Sequence, residues 1–382
     1  MRALVGIALA AVAGTAAVVL VLALADSGGR APGTDDAARD FKDAAGRAVA
    51  VPEQVDRVIC SGPGSLRLLT YLGAQERAVA VDSIEKRRSP TDARPYALVH
   101  PEFARLPLFG EFRGRDSPEL IVGLDPLPQV VLKADPGLGQ DPDRLQSQTG
   151  VPVVVINYGN LTDQRADLNQ ALHLIGKVLG RSERAEAVIA FFDSLLNDLA
   201  RRTEGLAAEK RPTCYVGAIA MRGMLGFRST EPGYAPFAFT GARNVAAGMV
   251  LAEKGLSHAV VAKEQIVAWD PAVVFLDLST VQLGASGGLH ELRTDPAYRG
   301  LTAVRQGRVF GVLPHNFYTE NFGSVLANAY FVGTVLHPEG FRDIDPAAKA
   351  DEIYTFLLGA PVFQEMNRRL GGMAFERIPI DE

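Results

Sequence analysis

An eight-residue segment that occurs twice constrains this chain more than any other feature. Glu119-Leu120-Ile121-Val122-Gly123-Leu124-Asp125-Pro126 and Glu264-Gln265-Ile266-Val267-Ala268-Trp269-Asp270-Pro271 share Glu, Ile, Val, Asp and Pro in register. Each copy reads as a short helix that opens near the glutamate and stops at Asp-Pro, because proline lacks an N–H donor and disfavours helical geometry in the residue before it. Each copy then runs into an apolar, strand-like stretch, Gln129–Leu132 in one half and Ala272–Leu276 in the other. A unit repeated in this way predicts two similar α/β lobes facing one another.

The rest of the pattern agrees. Val58–Cys60, Ala78–Val81 and Val151–Ile156 are further strand candidates in the first half, and Thr213–Ile219 and Val309–Leu313 in the second, all alternating with helical patterns. Such alternation implies parallel sheets covered by helices. Between the halves, Ala185, Val188, Ile189, Phe192, Leu195, Leu196 and Leu199 mark one helix over Arg181–Glu204, closed by Gly205 and Pro212. The expected organisation is a first lobe over residues 41–180, a bridging helix over 181–204 and a second lobe with a terminal helix over 205–382. A length of 382 residues, 47% apolar, suffices for two cores.

The N-terminus reads as an export signal. Arg2 precedes an uncharged run from Ala3 to Ala25 that ends in small residues, so residues 1–25 are either a signal peptide or, being long enough to span about 30 Å of bilayer, a membrane anchor. Residues 26–40, rich in Gly, Asp, Ala and Pro, read as a flexible spacer. The expected location is therefore periplasmic or otherwise extracytoplasmic. The net charge of −5 is spread along the chain with no basic patch, which argues against nucleic acid as a partner. Cys60 and Cys214 are too few for a disulfide framework and read as buried thiols or a single bond. Phosphate-loop, His-Glu-x-x-His and dinucleotide signatures are missing, so an enzyme is not expected, and six scattered histidines argue against a bare-metal site.

Asp43-Ala44-Ala45-Gly46-Arg47, Val51-Pro52, Arg57-Val58-Ile59, Leu72-Gly73-Ala74 and Ala78-Val79-Ala80-Val81, in that order and together with the repeat, resemble the periplasmic binding-protein family that carries ferric siderophores, haem and vitamin B12. The resemblance spans Phe41 to Leu357. It implies two Rossmann-like lobes with parallel sheets, joined by one long α-helix, with a ligand cleft between them. It also implies the substrate-binding component of an ABC importer: a monomer without an intrinsic cofactor that captures an iron chelate, haem or corrinoid and delivers it to the permease. Glu119 and Glu264 then correspond to the family's glutamates that dock onto permease arginines. Read from the residues alone, Ser117-Pro118-Glu119 is also a good helix start. A membrane-anchored sensor on the same fold is the alternative function.

Ligand contacts are expected in loops after strands. In the first lobe these offer Gly62 and Ser65 as an anion-friendly turn, with Phe109 and Tyr158 as ring contacts. In the second they offer Arg222 for an anionic group, Phe227, and the polar-aromatic run His315, Asn316 and Tyr318. His315 and Tyr318 also carry side chains able to ligate iron.

Overall fold

The computed structural model describes residues 38–380 apart from 88, 93, 136, 206–210, 222 and 250–256. The expected leader and residues 26–37 of the expected spacer lie outside the described residues. The end of that spacer is in fact folded. Strand β1 (Ala38–Lys42) pairs with β2 (Ala48–Pro52), and Arg39 donates to the carbonyls of Lys177 and Val178 at 3.2 and 3.1 Å. Partial burial of Phe41 against the core explains why order begins earlier than composition suggests.

The first lobe is built on β3 (Val58–Ser61), β4 (Ala78–Asp82), β5 (Leu108–Glu111), β6 (Arg115–Asp116), β7 (Val130–Ala134) and β8 (Val153–Ile156), in the spatial order β6-β5-β4-β3-β7-β8. Strands β5 to β8 in that order are parallel apart from β6, which returns antiparallel on β5. Helices on both faces leave the central strands buried along their whole length, as at Val58–Ser61, where all four residues are buried. The β5–β6 hairpin was not legible because β5 is only four residues long and contains Gly110. That glycine is required, since a Cβ there would lie 2.6 Å from the Arg115 carbonyl oxygen.

The second lobe holds β9 (Thr213–Gly217), β11 (Arg243–Asn244), β13 (Val273–Asp277) and β14 (Val309–Val312) in the parallel order β11-β9-β13-β14, while β10 (Ser229–Thr230) and β12 (Ala259–Val260) form a separate antiparallel pair. The C-terminal tail returns to β14 through bridges from Ala374 and Arg377. Between the lobes in sequence runs the 21-residue helix Ser182–Arg202, on the order of 32 Å long, which buries Ala185, Val188, Ile189, Phe192, Leu195 and Leu199. Its Arg184 reaches the carbonyls of Tyr71 and Phe356, tying a first-lobe helix to the helix Pro346–Leu358. Among the described residues no helix is long and apolar enough to cross a membrane. Cys60 and Cys214 are both free and buried, and burial pushes the Cys60 thiol up to about 12.

The repeat folds as two short surface helices, Pro118–Val122 and Lys263–Trp269. Ile121 and Ile266, the same position in each copy, are fully buried and fix which face turns inward. The terminal aspartate of the second copy, Asp270, accepts from the amide and hydroxyl of Thr302 at 2.7 and 2.6 Å and so starts the next helical turn.

Candidate functional site

Loops that follow β3, β4, β5, β7, β9, β13 and β14 line a common cavity of about 830 Å³. Pro63 follows β3, Ile84 and Arg87 follow β4, Phe112 and Arg113 form the turn after β5, and Leu138 lies beyond β7. From the second lobe come Met221 and Met224 after β9, Gln282 after β13, and Pro314 with Asn316–Thr319 after β14. Convergence at the carboxyl ends of two parallel sheets is what open α/β architecture dictates, because the strand-to-helix loops there are free to diverge without disturbing the core.

The walls are apolar and aromatic, with positive charge at one lip. The guanidinium carbon of Arg87 lies 4.3 Å from the centre of the Phe112 ring and that of Arg113 lies 5.2 Å from the same ring. Both arginines are exposed, and Arg113 takes part in no salt bridge among the described residues. Backbone strain concentrates here as well. Arg113, Asp135, Tyr318 and Thr319 all have positive φ, between 53° and 70°, and all four line the cavity, whereas only Ala218, Asp270 and Phe375 share that conformation among the other described non-glycine residues. Such conformations persist where surrounding structure holds them, commonly at binding sites.

The second-lobe loop Asn316–Glu320 reaches across to the first lobe. The Tyr318 hydroxyl donates to Asp82 Oδ2 at 2.6 Å and accepts from the Arg113 amide at 2.7 Å. Arg67, fully buried, donates to the carbonyls of Glu320 and Phe317 at 2.6 and 3.0 Å and to the Tyr158 hydroxyl at 2.6 Å. Tyr158 in turn donates to the Glu320 carbonyl at 2.7 Å and stacks on Phe322. Gly64 makes room for that tyrosine, since a Cβ at its φ of 83° would fall 2.1 Å from the ring.

Of the residues expected to contact ligand, the cavity brings together Asn316 and Tyr318. Gly62 stands off it, pressed on the Ala134 carbonyl, and its neighbour Pro63 takes the lining position. Four expectations are corrected. Phe109 is fully buried against Ile59 and Ile121, because strand alternation turns it into the core while Phe112 reaches the turn. Phe227 is fully buried over Gly217, edge-on to Tyr215 and Tyr298. Ser65 is buried and donates to the Leu132 carbonyl at 2.8 Å. Tyr158 serves the interlobe contact rather than the cavity. Arg222 lies outside the described residues. The lining residues Arg113 and Leu138 were missed, and the only signal for either was its place in a loop after a strand.

His315 is corrected too. It is buried behind Asn316, with Nε2 3.1 Å from Glu231 Oε2 and Nδ1 3.7 Å from Asp277 Oδ2, so both ring nitrogens face protein carboxylates and neither is open to a metal. Burial alone would lower its pKa, but Asp277 and Glu231 outweigh burial and raise it from 6.5 to about 10. The imidazolium therefore contributes stability in full below pH 6.5, and that contribution is lost as pH rises through about 10. The stability gap between the native chain and His315→Gln, read by urea denaturation, is expected to shrink over this interval. A gap constant from pH 6 to 10 would rule the charged state out.

The two repeat glutamates are exposed on their helices. Glu119 accepts from the Ser117 hydroxyl at 3.1 Å, and neither carboxylate enters a salt bridge among the described residues. Gly284-Ala285-Ser286-Gly287-Gly288 has Gly-x-Ser-x-Gly spacing, but β13 ends at Asp277 and Ser286 sits in an irregular 3-10 segment, Leu278–Ser286, not on a strand-to-helix elbow. Among the described residues no three His, Cys, Asp or Glu side chains converge to hold a metal ion.

Known structures share this architecture. A periplasmic solute binding protein from Veillonella parvula superposes with a TM-score of 0.66 at 17% identity, covering 87% of this chain and 97% of that one. The molybdate periplasmic binding protein MolA of Haemophilus influenzae gives 0.65 at 19% identity over 85% of this chain and 98% of its own. The periplasmic heme binding protein HutB of Vibrio cholerae gives 0.53 at 19% identity over 74% and 99%. No curated protein sequence matches the chain. The family profile described as "Periplasmic binding protein" matches residues 58–314, well over half of the sequence. With two α/β lobes, a cleft at the strand ends and this match, the chain belongs to the periplasmic binding protein family, the extracytoplasmic substrate-binding partners of ABC-transporter permeases.

Proposed function

We propose that the protein captures a metal chelate, of the ferric-siderophore, haem or corrinoid kind, and delivers it to its permease through Glu119 and Glu264. The observation that carries the ligand class is the pair of guanidiniums flanking Phe112 at the lip of an 830 Å³ apolar cavity. A volume of that size suits a drug-sized molecule. A bare tetraoxo anion occupies only a few times the ~30 Å³ share of a water molecule and would leave most of it unfilled. Phe112, Phe317 and the methionines Met221 and Met224 offer the soft, adaptable surface that a planar or aromatic chelate needs, while Arg87 and Arg113 can meet its carboxylate or catecholate oxygens.

Thermal shift of the chain lacking residues 1–25 against a ferric tris-catecholate, a ferric hydroxamate, haem, cobalamin, molybdate and free ferric ion tests the reading. At a ligand concentration about 100-fold above Kd, roughly 2.7 kcal/mol of added stability is expected for one chelate. Arg113→Ala and Arg87→Ala should each weaken that chelate about tenfold, the loss of one charge-assisted hydrogen bond of about 1.5 kcal/mol. Binding of molybdate or free iron, with silence from every chelate, would overturn it.

A further inference from the structure

We propose that Asn316 sets the ligand preference of the cleft: His258 holds its carboxamide with Oδ1 toward the cavity, so the ligand taken most tightly brings an N–H or O–H donor to that point. The inference rests on the reading of this cavity as a chelate site. Asn316 lines the cavity and is half-buried. Its Nδ2 lies 2.9 Å from the Ala220 carbonyl oxygen and 3.2 Å from His258 Nε2. A carbonyl oxygen only accepts, so the amide atom facing Ala220 must be the nitrogen, and the orientation of the carboxamide follows. Both amide hydrogens are then committed. Nε2 of His258 accepts the second, which places the ring proton on Nδ1, and Nδ1 meets the Ser257 hydroxyl at 2.6 Å. Oδ1 is left as an acceptor with no hydrogen bond among the described residues, and it is not sealed from solvent.

The fold brings this histidine to the cleft. Pairing of β10 with β12 sets Thr230 opposite Ala259, so Glu231 and His258 continue from the same end of the ribbon, and Glu231 also meets His315, the residue before Asn316. Burial lowers the pKa of His258 below 6.5; among the charged groups around it, Glu231 and Asp277 raise it and His315 lowers it. The ring is therefore neutral at pH 7, as acceptance at Nε2 requires. Asp135 is a second acceptor on the cavity wall, but it is exposed and keeps its water when a ligand enters. Oδ1 of half-buried Asn316, covered by a ligand without a donor, would lose its water with nothing in return, and such a site rejects the analogue that lacks the group. Arg87 and Arg113 offer donors only. A ligand that satisfies all three residues carries acceptor oxygens together with a donor, as a chelate bearing amide N–H groups does. Haem meets only the arginines, because its periphery is hydrocarbon and carboxylate.

Nitrogen-15 NMR of the full chain labelled at histidine, assigned against His258→Gln, should find neutral His258 protonated on Nδ1. A proton on Nε2 at neutral pH overturns the proposal. Binding is then measured for a ferric tris-catecholate and a ferric tris-hydroxamate, each made with amide and with ester linkages, and for haem and cobalamin. An amide chelate should bind at least about tenfold tighter than its ester counterpart. Asn316→Ala and His258→Leu should each erase that margin, whereas His258→Gln, whose carboxamide oxygen still accepts from Asn316, should restore it. In the native chain the margin should shrink in acid, where a protonated Nε2 faces the amide hydrogens of Asn316, and in His258→Gln it should not. Burial pushes Asp82 and Glu320 up to about 7, and both titrate in either protein, so the difference between the two profiles is the readout. Matching profiles overturn the part given to His258. Equal affinity for amide and ester, a margin that survives Asn316→Ala, or a preference for haem overturns the part given to Asn316 and leaves the chelate reading standing. If cobalamin alone binds, Asn316→Ala should weaken it about tenfold through its carboxamide side chains, and unchanged affinity overturns the proposal. Silence from every chelate brings down both readings.

Discussion

Replacing Lys133 by methionine is expected to destabilise the chain by about 3–5 kcal/mol, the usual consequence of leaving one member of a buried ion pair without its partner. Lys133 and Asp116 are both fully buried and 2.8 Å apart. The ammonium also donates to the Ser61 hydroxyl at 3.2 Å and the Gly114 carbonyl at 3.3 Å, while Ser61 donates to the same Asp116 oxygen at 2.9 Å. One lysine thus fastens the β5–β6 hairpin to the central sheet, and that hairpin carries Phe112 and Arg113 to the cavity. Methionine keeps the chain length but removes the ammonium, so Asp116 is left buried with the Ser61 hydroxyl but without its counter-ion. Urea denaturation measures the loss, and the double variant Lys133→Met/Asp116→Leu should recover most of it, because an apolar pair of similar volume has no charge left to desolvate. A cost below 1 kcal/mol for the single variant, or no recovery in the double, would show that the pair is not what holds the hairpin.

Arg67→Met comes next, at about 3 kcal/mol. Unlike Lys133, Arg67 faces no carboxylate in its hydrogen bonds. Its charge is met by the carbonyls of Glu320 and Phe317, the Tyr158 hydroxyl, and the ring faces of Tyr96 at 5.2 Å and Tyr158 at 5.8 Å. Removing it costs the hydrogen bonds, leaves the Phe317 carbonyl short of a donor and opens a void in a closely packed region. The contact joins a first-lobe side chain to a second-lobe loop, so the variant has a second signature: solution scattering should record a larger radius of gyration than for the native chain. Tyr158→Phe, which keeps the ring over Phe322 and loses only the hydroxyl, should cost about 1 kcal/mol without that expansion. Equal radii for Arg67→Met and the native chain would mean that the lobes are positioned without this contact.

The sequence by itself determined the architecture, because the information that specifies it is local and periodic. Apolar runs bounded by turns gave the parallel strands, the spacing from Ala185 to Leu199 gave the long helix, and Asp-Pro ended the helix in each repeat copy. The loops that form the cleft were legible for the same reason, being the segments after strands. Which side chain in each loop meets the cavity was decided only by tertiary structure. Phe109 and Phe112, His315 and Asn316, Gly62 and Pro63 differ little in composition or position, yet one of each pair turns away from the cavity and its neighbour lines it. Arg113 reaches the lip through a hairpin turn held by a lysine distant in sequence, and Tyr158 leaves the cavity for a loop that belongs to the other lobe. Those choices depend on register and on contacts between residues far apart in the chain, and no local periodicity encodes them.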